Sequence, residues 1–299
     1  MSISLINQNQ LQTAQLYILN YVHEYCKNNN IEYFIIGGTL LGSVRHKGFI
    51  PWDLDIDIAM TRNNYNKIIK SFNKTEDNRY RLVYYKNDKH HFSPHAKIVM
   101  NNSKIEYHNT QLESHLSNHK GIYIDIFPLD NVPTEKKEQY KQEKKIKFYR
   151  RLIYFKVSPI FSRGFLFHKL IIKKILRLFM KLISFKFLTK RLDYTMQLHS
   201  KNDSGQICSM ASHYHYQKQV MDVNIYKPAK LYEFENLKFY GPNNEIAYLE
   251  RIYGDYMELP PKEKRHDASN FIKNVIYPKW FIDSLEDFDK FIFENKSNE

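Results

Sequence analysis

Residues 37–60 read GGTLLGSVRHKGFIPWDLDIDIAM, and the last third of that stretch decides the fold class. Asp53, Asp55 and Asp57 alternate with Leu54, Ile56 and Ile58. A period of two is that of a β-strand, so the spacing predicts a strand over 53–58 with carboxylates on one face and aliphatics on the other. The aliphatic face needs a core to cover it. The acidic face sets three like charges within about 7 Å of their neighbours, an arrangement that costs stability unless a cation sits on it. Hard oxygen ligands suit Mg²⁺ or Mn²⁺. The alternative is a solvated edge strand that uses charge against aggregation, although such edges ordinarily carry Lys or mixed charge.

Just upstream, Ile31–Ile36 reads as a strand that stops at Gly37-Gly38. Two glycines there allow a tight turn and close approach of a ligand. Thr39 is placed to cap a short helix over Leu40–Val44. A helix N-terminus is a ready phosphate site. A glycine turn alone is a weak signal, and a plain turn remains the alternative. Downstream, Ile122–Phe127 is apolar except for Asp125. A lone Asp in such a strand is costly unless it is paired or ligating. It either completes a metal site with Asp55 and Asp57 or pairs with a nearby lysine.

Further out, Leu11, Ala14, Ile18, Val22 and Tyr25 recur at helical spacing, and the helix they predict ends in the polar run Lys27–Asn30. Helices are expected over Asn63–Phe72 and near Asn244–Tyr253. Strands are expected over Tyr80–Tyr85, Ala96–Met100 and Gly121–Phe127, the last closed by Pro128. The 299 residues carry 42% hydrophobic and 26% charged side chains, which excludes collagen-like, disulfide-scaffold and largely disordered classes. Two cysteines, Cys26 and Cys208, build neither a disulfide framework nor a thiolate zinc site. His213 and His215 would share a strand face, but two imidazoles without a third ligand do not make a zinc site.

The net charge of +13 is concentrated. Lys136–Arg191 holds 18 Lys and Arg against Glu138 and Glu143, leaving the rest of the chain slightly acidic. A basic isoelectric point therefore says nothing about the whole molecule. The segment reads as helical with a break near Pro159 and Gly164. Lys169, Lys173, Arg177 and Lys181 recur every four residues beside an apolar face. A basic amphipathic helix suits an anionic membrane surface, and a helix with a solvated lysine row is the alternative. No apolar run is long enough to span a bilayer, and the polar start, Met1–Gln15, has no apolar signal core. The expectation is a cytoplasmic protein that is peripheral on the inner face of the plasma membrane. The organisation expected is a catalytic core over 1–135, a basic helical insertion over 136–196 and a C-terminal part over 197–299 that packs back.

The stretches Ile36–Gly42, Arg45–Trp52 and Asp53–Ile58, with GIYIDIFPLD at 121–130, resemble the signature of the LicD family, which includes fukutin and fukutin-related proteins. The likeness returns at Phe234-Glu235, Pro242, Tyr248-Leu249 and Tyr253–Pro261. Many family members carry Asp where Leu54 stands, but Leu54 faces away from the other acids on a strand. The resemblance implies an α/β (α+β) fold with a polymerase-β-type nucleotidyltransferase core and a mixed sheet. It implies transfer of a phospho-alcohol, phosphocholine first among them, from a CDP-linked donor to a sugar hydroxyl of a surface glycan such as lipopolysaccharide, teichoic acid or capsule. By that pattern Gly37, Gly38 and Thr39 contact phosphate. Asp55 and Asp57 are the paired metal ligands, Asp125 is the third carboxylate and Asp53 an additional ligand. Arg45 and Lys97 are candidates to hold phosphate oxygens, with surface cations as the alternative. Asp125 is placed nearest the attacking hydroxyl. The rival readings are a nucleotidyltransferase acting on RNA or a small molecule, and a non-catalytic glycan- or nucleotide-binding module. No RNA-reading motif accompanies the basic segment, so no nucleic-acid partner is expected.

Overall fold

The computed structural model describes residues 8–89, 91–108, 120–157, 178, 180, 182–202, 204–265 and 272–287. It is a mixed α/β molecule. The first helix, α1 (Gln8–Asn28), buries Leu11, Ala14, Ile18, Leu19 and Val22 along one face, as its spacing predicts. The strands β1 (Phe34–Ile35), β2 (Asp57–Thr61), β3 (Tyr80–Val83), β4 (Ala96–Met100) and β6 (Tyr123–Asn131) form the path β1-β2-β6-β4-β3. Only β2 and β6 run parallel, while the other pairs are antiparallel. Two helices, α2 (Gly37–His46) and α3 (Arg62–Ser71), flank β2 in sequence. The strand β5 (Lys104–Tyr107) pairs far along the chain with β11 (Ile272–Ile276).

Three local expectations need correction. The acidic strand does not start at Asp53. Its ladder begins at Asp57, and residues 53–56 are extended but outside it. Glutamines from α1 hold that segment instead: Gln12 Nε2 donates to the Asp53 carbonyl at 3.1 Å and Gln15 Nε2 to the Leu54 carbonyl at 2.8 Å. Nor is β2 an edge, since β1 and β6 pair on its two sides.

The second correction is at Pro128, which does not close β6. The strand runs on to Asn131, with Pro128 opposite Met60 in the parallel ladder. The Asp125 N–H points to β2, donating to the Ile56 carbonyl at 2.9 Å. By alternation the Pro128 nitrogen points the other way, between Ile126, paired with Ala96 of β4, and Asp130, paired with Cys208 of β7 (Gln206–Cys208). No ladder partner there needs the missing donor.

The third correction is at Thr39. The helix α2 starts at Gly37, with Ile36 at its cap position and no side-chain cap. Thr39 is inside the helix and 3% exposed, and its hydroxyl accepts from the Asp57 N–H at 2.9 Å.

The described parts of the basic segment are α4 (Lys136–Val157) and α5 (Phe185–Met196), which pack on each other. The break and the whole cationic row, Lys169, Lys173, Arg177 and Lys181, lie outside the described residues. The inner face of α4 is tied to its neighbours by polar bonds. Gln142 Nε2 donates to the Thr195 carbonyl at 2.9 Å and its Oε1 accepts from the Tyr216 hydroxyl at 2.7 Å. The inner face of α5 carries Asp193, which with Asp130 of β6 clasps Arg62 of α3. Arg62 meets Asp130 through two bonds of 2.6 and 2.7 Å and Asp193 at 2.9 Å. The Tyr85 hydroxyl donates to the other Asp193 oxygen at 2.9 Å.

Beyond β7 and its partner β8 (Val220–Asp222), β9 (Lys230–Phe234) and β10 (Leu237–Gly241) form a hairpin against α2. Ser43 of α2 donates to the Glu233 carbonyl at 2.6 Å, and Glu235 accepts from the Phe49 N–H at 2.9 Å. A further helix, α6 (Glu245–Tyr253), starts at Asn244, whose side chain accepts from the Ala247 N–H at 3.0 Å. Its Tyr248 hydroxyl accepts from the Gly37 N–H at 3.1 Å.

Candidate active site

Parallel pairing of β2 with β6 sets Asp57 directly opposite Asp125. Asp55 comes from the glutamine-held segment two residues before Asp57. One carboxylate oxygen from each of Asp55, Asp57 and Asp125 lies within 4.8 Å of the others. The two distant acidic stretches thus converge. Asp53 stands outside this trio and faces Gly38: a Cβ on Gly38 would lie 2.3 Å from an Asp53 carboxylate oxygen. Gly37 holds φ +59°, and a Cβ there would come within 3.2 Å of an Asp57 oxygen. Both glycines are therefore fitted to the acids they face, one by its backbone conformation and one by the absence of a side chain.

The charges are unevenly compensated. Burial pushes the Asp57 carboxyl well above the usual carboxylate range, and the charges of Asp55, Asp125 and Asp53 push it further. Burial and Asp55 raise Asp53 in the same way. Asp55 is raised by burial and by Asp125. Asp125 goes the other way. Burial pushes it up, but Lys97 and His95 outweigh that and hold it well below the ordinary value. Lys97 Nζ donates to Asp125 Oδ1 at 2.6 Å, and His95 Nε2 lies 3.2 Å from the same oxygen. Lys97 also sits 3.4 Å from the centre of the Tyr123 ring.

These groups line a cavity of about 1090 Å³. Its other walls come from α4 (Arg150, Ile153, Tyr154, Val157), the 211–214 turn and the loop after α6. Arg45 lines it too, but its Nη1 donates to the carbonyls of Tyr256 at 2.7 Å and Glu258 at 3.3 Å. It clamps that loop to α2. Lys97 is 2% exposed and committed to Asp125, so it is a counter-ion to the acids rather than a free hand for phosphate. Gly37, Gly38, Asp53, Asp55, Asp57 and Asp125 all reach the cavity, whereas Thr39 acts behind it on the Asp57 backbone.

His213 and His215 do not share a strand face. They sit in the turn after β7, where His213 lines the cavity and His215 Nε2 lies 3.1 Å from Glu143. Burial lowers the His213 pKa against the opposing pull of Asp55. Arg265 stacks 4.7 Å from the Trp52 ring centre, and Trp52 is on the cavity wall.

Sequence reasoning missed three contributions: the α1 glutamines, the Tyr248–Gly37 bond and the Arg150 side of α4. Each comes from a part of the chain whose local pattern reads only as an amphipathic helix.

The donor set fits a hard divalent cation. Three carboxylates converge with no cation among them except the lysine held on Asp125. Their mutual repulsion is what such an ion would relieve.

Comparison with known proteins accords with this arrangement. The model of the LicD/FKTN/FKRP nucleotidyltransferase domain matches residues 30–170, a span that holds the glycine turn, all four acids, Lys97 and α4. The lipopolysaccharide cholinephosphotransferase LicD of Haemophilus influenzae is 31% identical over 268 residues, which cover 84% of this chain and 92% of that protein. Uncharacterized proteins of Rickettsia prowazekii (RP689) and Rickettsia typhi (RT0683) are each 51% identical over 43 residues, 14% of this chain. With nearly the full length of the Haemophilus protein matched and the acidic centre inside the matching domain, the chain belongs to the LicD family.

Proposed function

We propose that this protein is a divalent-metal-dependent transferase that moves phosphocholine from CDP-choline to a sugar hydroxyl of a surface glycan, with lipopolysaccharide the first candidate. The observation that carries the reading is the meeting of Asp55, Asp57 and Asp125 beside the Gly37-Gly38 turn, in a cavity open to a large substrate. The similarity to a cholinephosphotransferase over 92% of that protein's length supplies the substrate class.

Asp55, Asp57 and Asp125 would hold Mg²⁺ or Mn²⁺. When bound, the ion supplies charge neutralisation for the pyrophosphate and lowers the pKa of a hydroxyl beside it. The chain's own groups do the rest. Lys97 keeps Asp125 ionised and fixes one of its oxygens. The glycine turn lets donor phosphates approach the backbone of α2. The sugar oxygen attacks the phosphorus that bears choline, forming a new P–O bond. The anhydride bond to the CMP phosphate breaks and CMP leaves. The hydroxyl proton passes to a carboxylate of the acidic cluster.

The test is incubation of the purified protein with CDP-choline, Mg²⁺ and delipidated or intact lipopolysaccharide. Acceptor-dependent release of CMP, lost on chelation, is expected. Release of pyrophosphate from CTP or ATP instead would assign nucleotidyl transfer, and binding without turnover would assign a non-catalytic module.

A further inference from the structure

The outer side of the α4–α5 pair has no part in the site just described. On α4, Lys137, Lys141, Lys144, Phe148 and Arg151 follow one another at three- and four-residue steps. They lie opposite the buried Gln139, Gln142, Ile146 and Ile153 and so form one stripe. On α5, Phe187, Lys190, Arg191 and Tyr194 form a second stripe, opposite the buried Leu188, Leu192 and Thr195. The two stripes meet at a shallow groove of about 350 Å³, to which Lys144, Phe148, Arg191, Tyr194 and Leu198 contribute. The structure thus joins them into a single face.

That face is unusual in two respects. Of the fourteen large hydrophobic side chains exposed among the described residues, five lie on these two helices away from the cavity or just past α5: Tyr140, Phe148 at 56%, Phe187, Tyr194 at 61% and Leu198. A water-facing helix pair gains nothing from exposing these. The same stretch holds the strongest charge of the chain, 18 basic residues against two acidic over 136–191. Glu143, one of the two acids, is buried on the inner face of α4. Exposed aromatics and aliphatics interleaved with cations match the interface of an anionic bilayer, where the rings and leucines enter the headgroup region and the lysines meet lipid phosphate. Single-stranded nucleic acid would use the cations and rings, but Leu198 in the groove offers a base no stacking partner.

We propose that the outer face of α4 and α5 docks this protein on an anionic membrane surface. Because α4 also forms a wall of the catalytic cavity through Arg150 and Ile153, docking brings that cavity to the bilayer. This deepens the proposed function by specifying an acceptor presented at a membrane, and it is tested by binding alone. Among the described residues no helix is long and apolar enough to cross a membrane.

The experiment is sedimentation of the full chain with vesicles of phosphatidylcholine alone or mixed with phosphatidylglycerol. Binding to the mixed vesicles is expected, weakened by salt. The variant K144E/K190E/R191E is expected to lose binding by at least tenfold, since each neutralised cation is worth roughly fivefold. The variant F148S/Y194S is expected to lose binding at high salt first. Both variants keep turnover on a delipidated acceptor, which separates this inference from the catalytic one. Absence of binding to anionic vesicles at low salt would overturn the proposal. Wild-type binding by both variants would also overturn it, by placing the contact elsewhere. Elution as a dimer that the F148S/Y194S variant abolishes would give the face to a second copy, and oligonucleotide that displaces vesicles would give it to RNA.

Discussion

Lys97 and Asp125 face each other across neighbouring antiparallel strands, and the ammonium donates to Asp125 Oδ1 at 2.6 Å. Among the described residues it is the lysine–carboxylate pair of the acidic cavity, with His95 on the same oxygen. Asp125 is held low by Lys97 against burial, so its contribution to stability is present above the unfolded carboxylate pKa and is lost as the pH falls through the lower folded value. Lys97→Met leaves a buried carboxylate beside two others. It should cost about 3–5 kcal/mol at pH 7, with the deficit shrinking below about pH 4, where the unfolded carboxylate is itself protonated. Urea unfolding of wild type and variant across that range checks this. A deficit independent of pH would show that Lys97 acts by packing alone.

Asp57 makes the opposite prediction. Its carboxyl is raised by burial and then by its acidic neighbours. The stability linked to a raised carboxyl is full below the unfolded pKa and lost as the pH climbs through the folded one. Asp57→Asn should therefore abolish transfer yet raise the melting temperature of metal-free protein at pH 8, with little change at pH 5. In wild type, saturating Mg²⁺ should raise the melting temperature by about 2–4 °C, more at pH 8 than at pH 5, and the variant should lose that response. Normal turnover by Asp57→Asn would remove the metal assignment.

Gly37 holds a left-handed backbone with Asp57 close by. Gly37→Ala should cost about 1–2 kcal/mol through its φ alone and should lower activity beyond that loss, because the new methyl presses on an Asp57 oxygen. Comparing kcat for Gly37→Ala with that of a surface variant of equal melting temperature separates the two effects.

Arg62 neutralises Asp130 and Asp193 away from the cavity. Arg62→Met strands two buried carboxylates and should cost about 3–5 kcal/mol, seen as a lower denaturant midpoint. Adding Asp130→Asn and Asp193→Asn should recover much of it. No recovery would mean that the loss comes from repacking around Tyr65, which Arg62 also overlies.

Much of this was legible in the sequence, and the reason differs by element. Alternation of acid and aliphatic marked 53–58 because extended backbone with one buried side writes that period directly, although only Asp57 and Ile58 of it belong to the ladder. The lone Asp125 stood out because an apolar strand carries a carboxylate at a cost. Pro128 misled because its lost N–H matters only if a neighbouring strand asks for it, and which strands flank β6 is a long-range fact. Lys97 read as a candidate to hold phosphate oxygens, and its pairing with Asp125 was not legible for the same reason: the register of β4 on β6 is written in no local pattern. The Arg62 clasp joins residues 62, 130 and 193, and sequence spacing gives no hint of it.

The dimensions of the chamber beside the acids have a kinetic meaning. At about 1090 Å³ it lies at or above the upper end of the usual range for a single small ligand, about 300–1,000 Å³. For the proposed transfer, a volume of this size would take the donor's nucleotide portion and the incoming sugar side by side. The group can then be handed over directly, with no waiting covalent adduct. Initial-rate plots should give intersecting lines rather than parallel ones, and isotope exchange between CMP and CDP-choline should require the sugar.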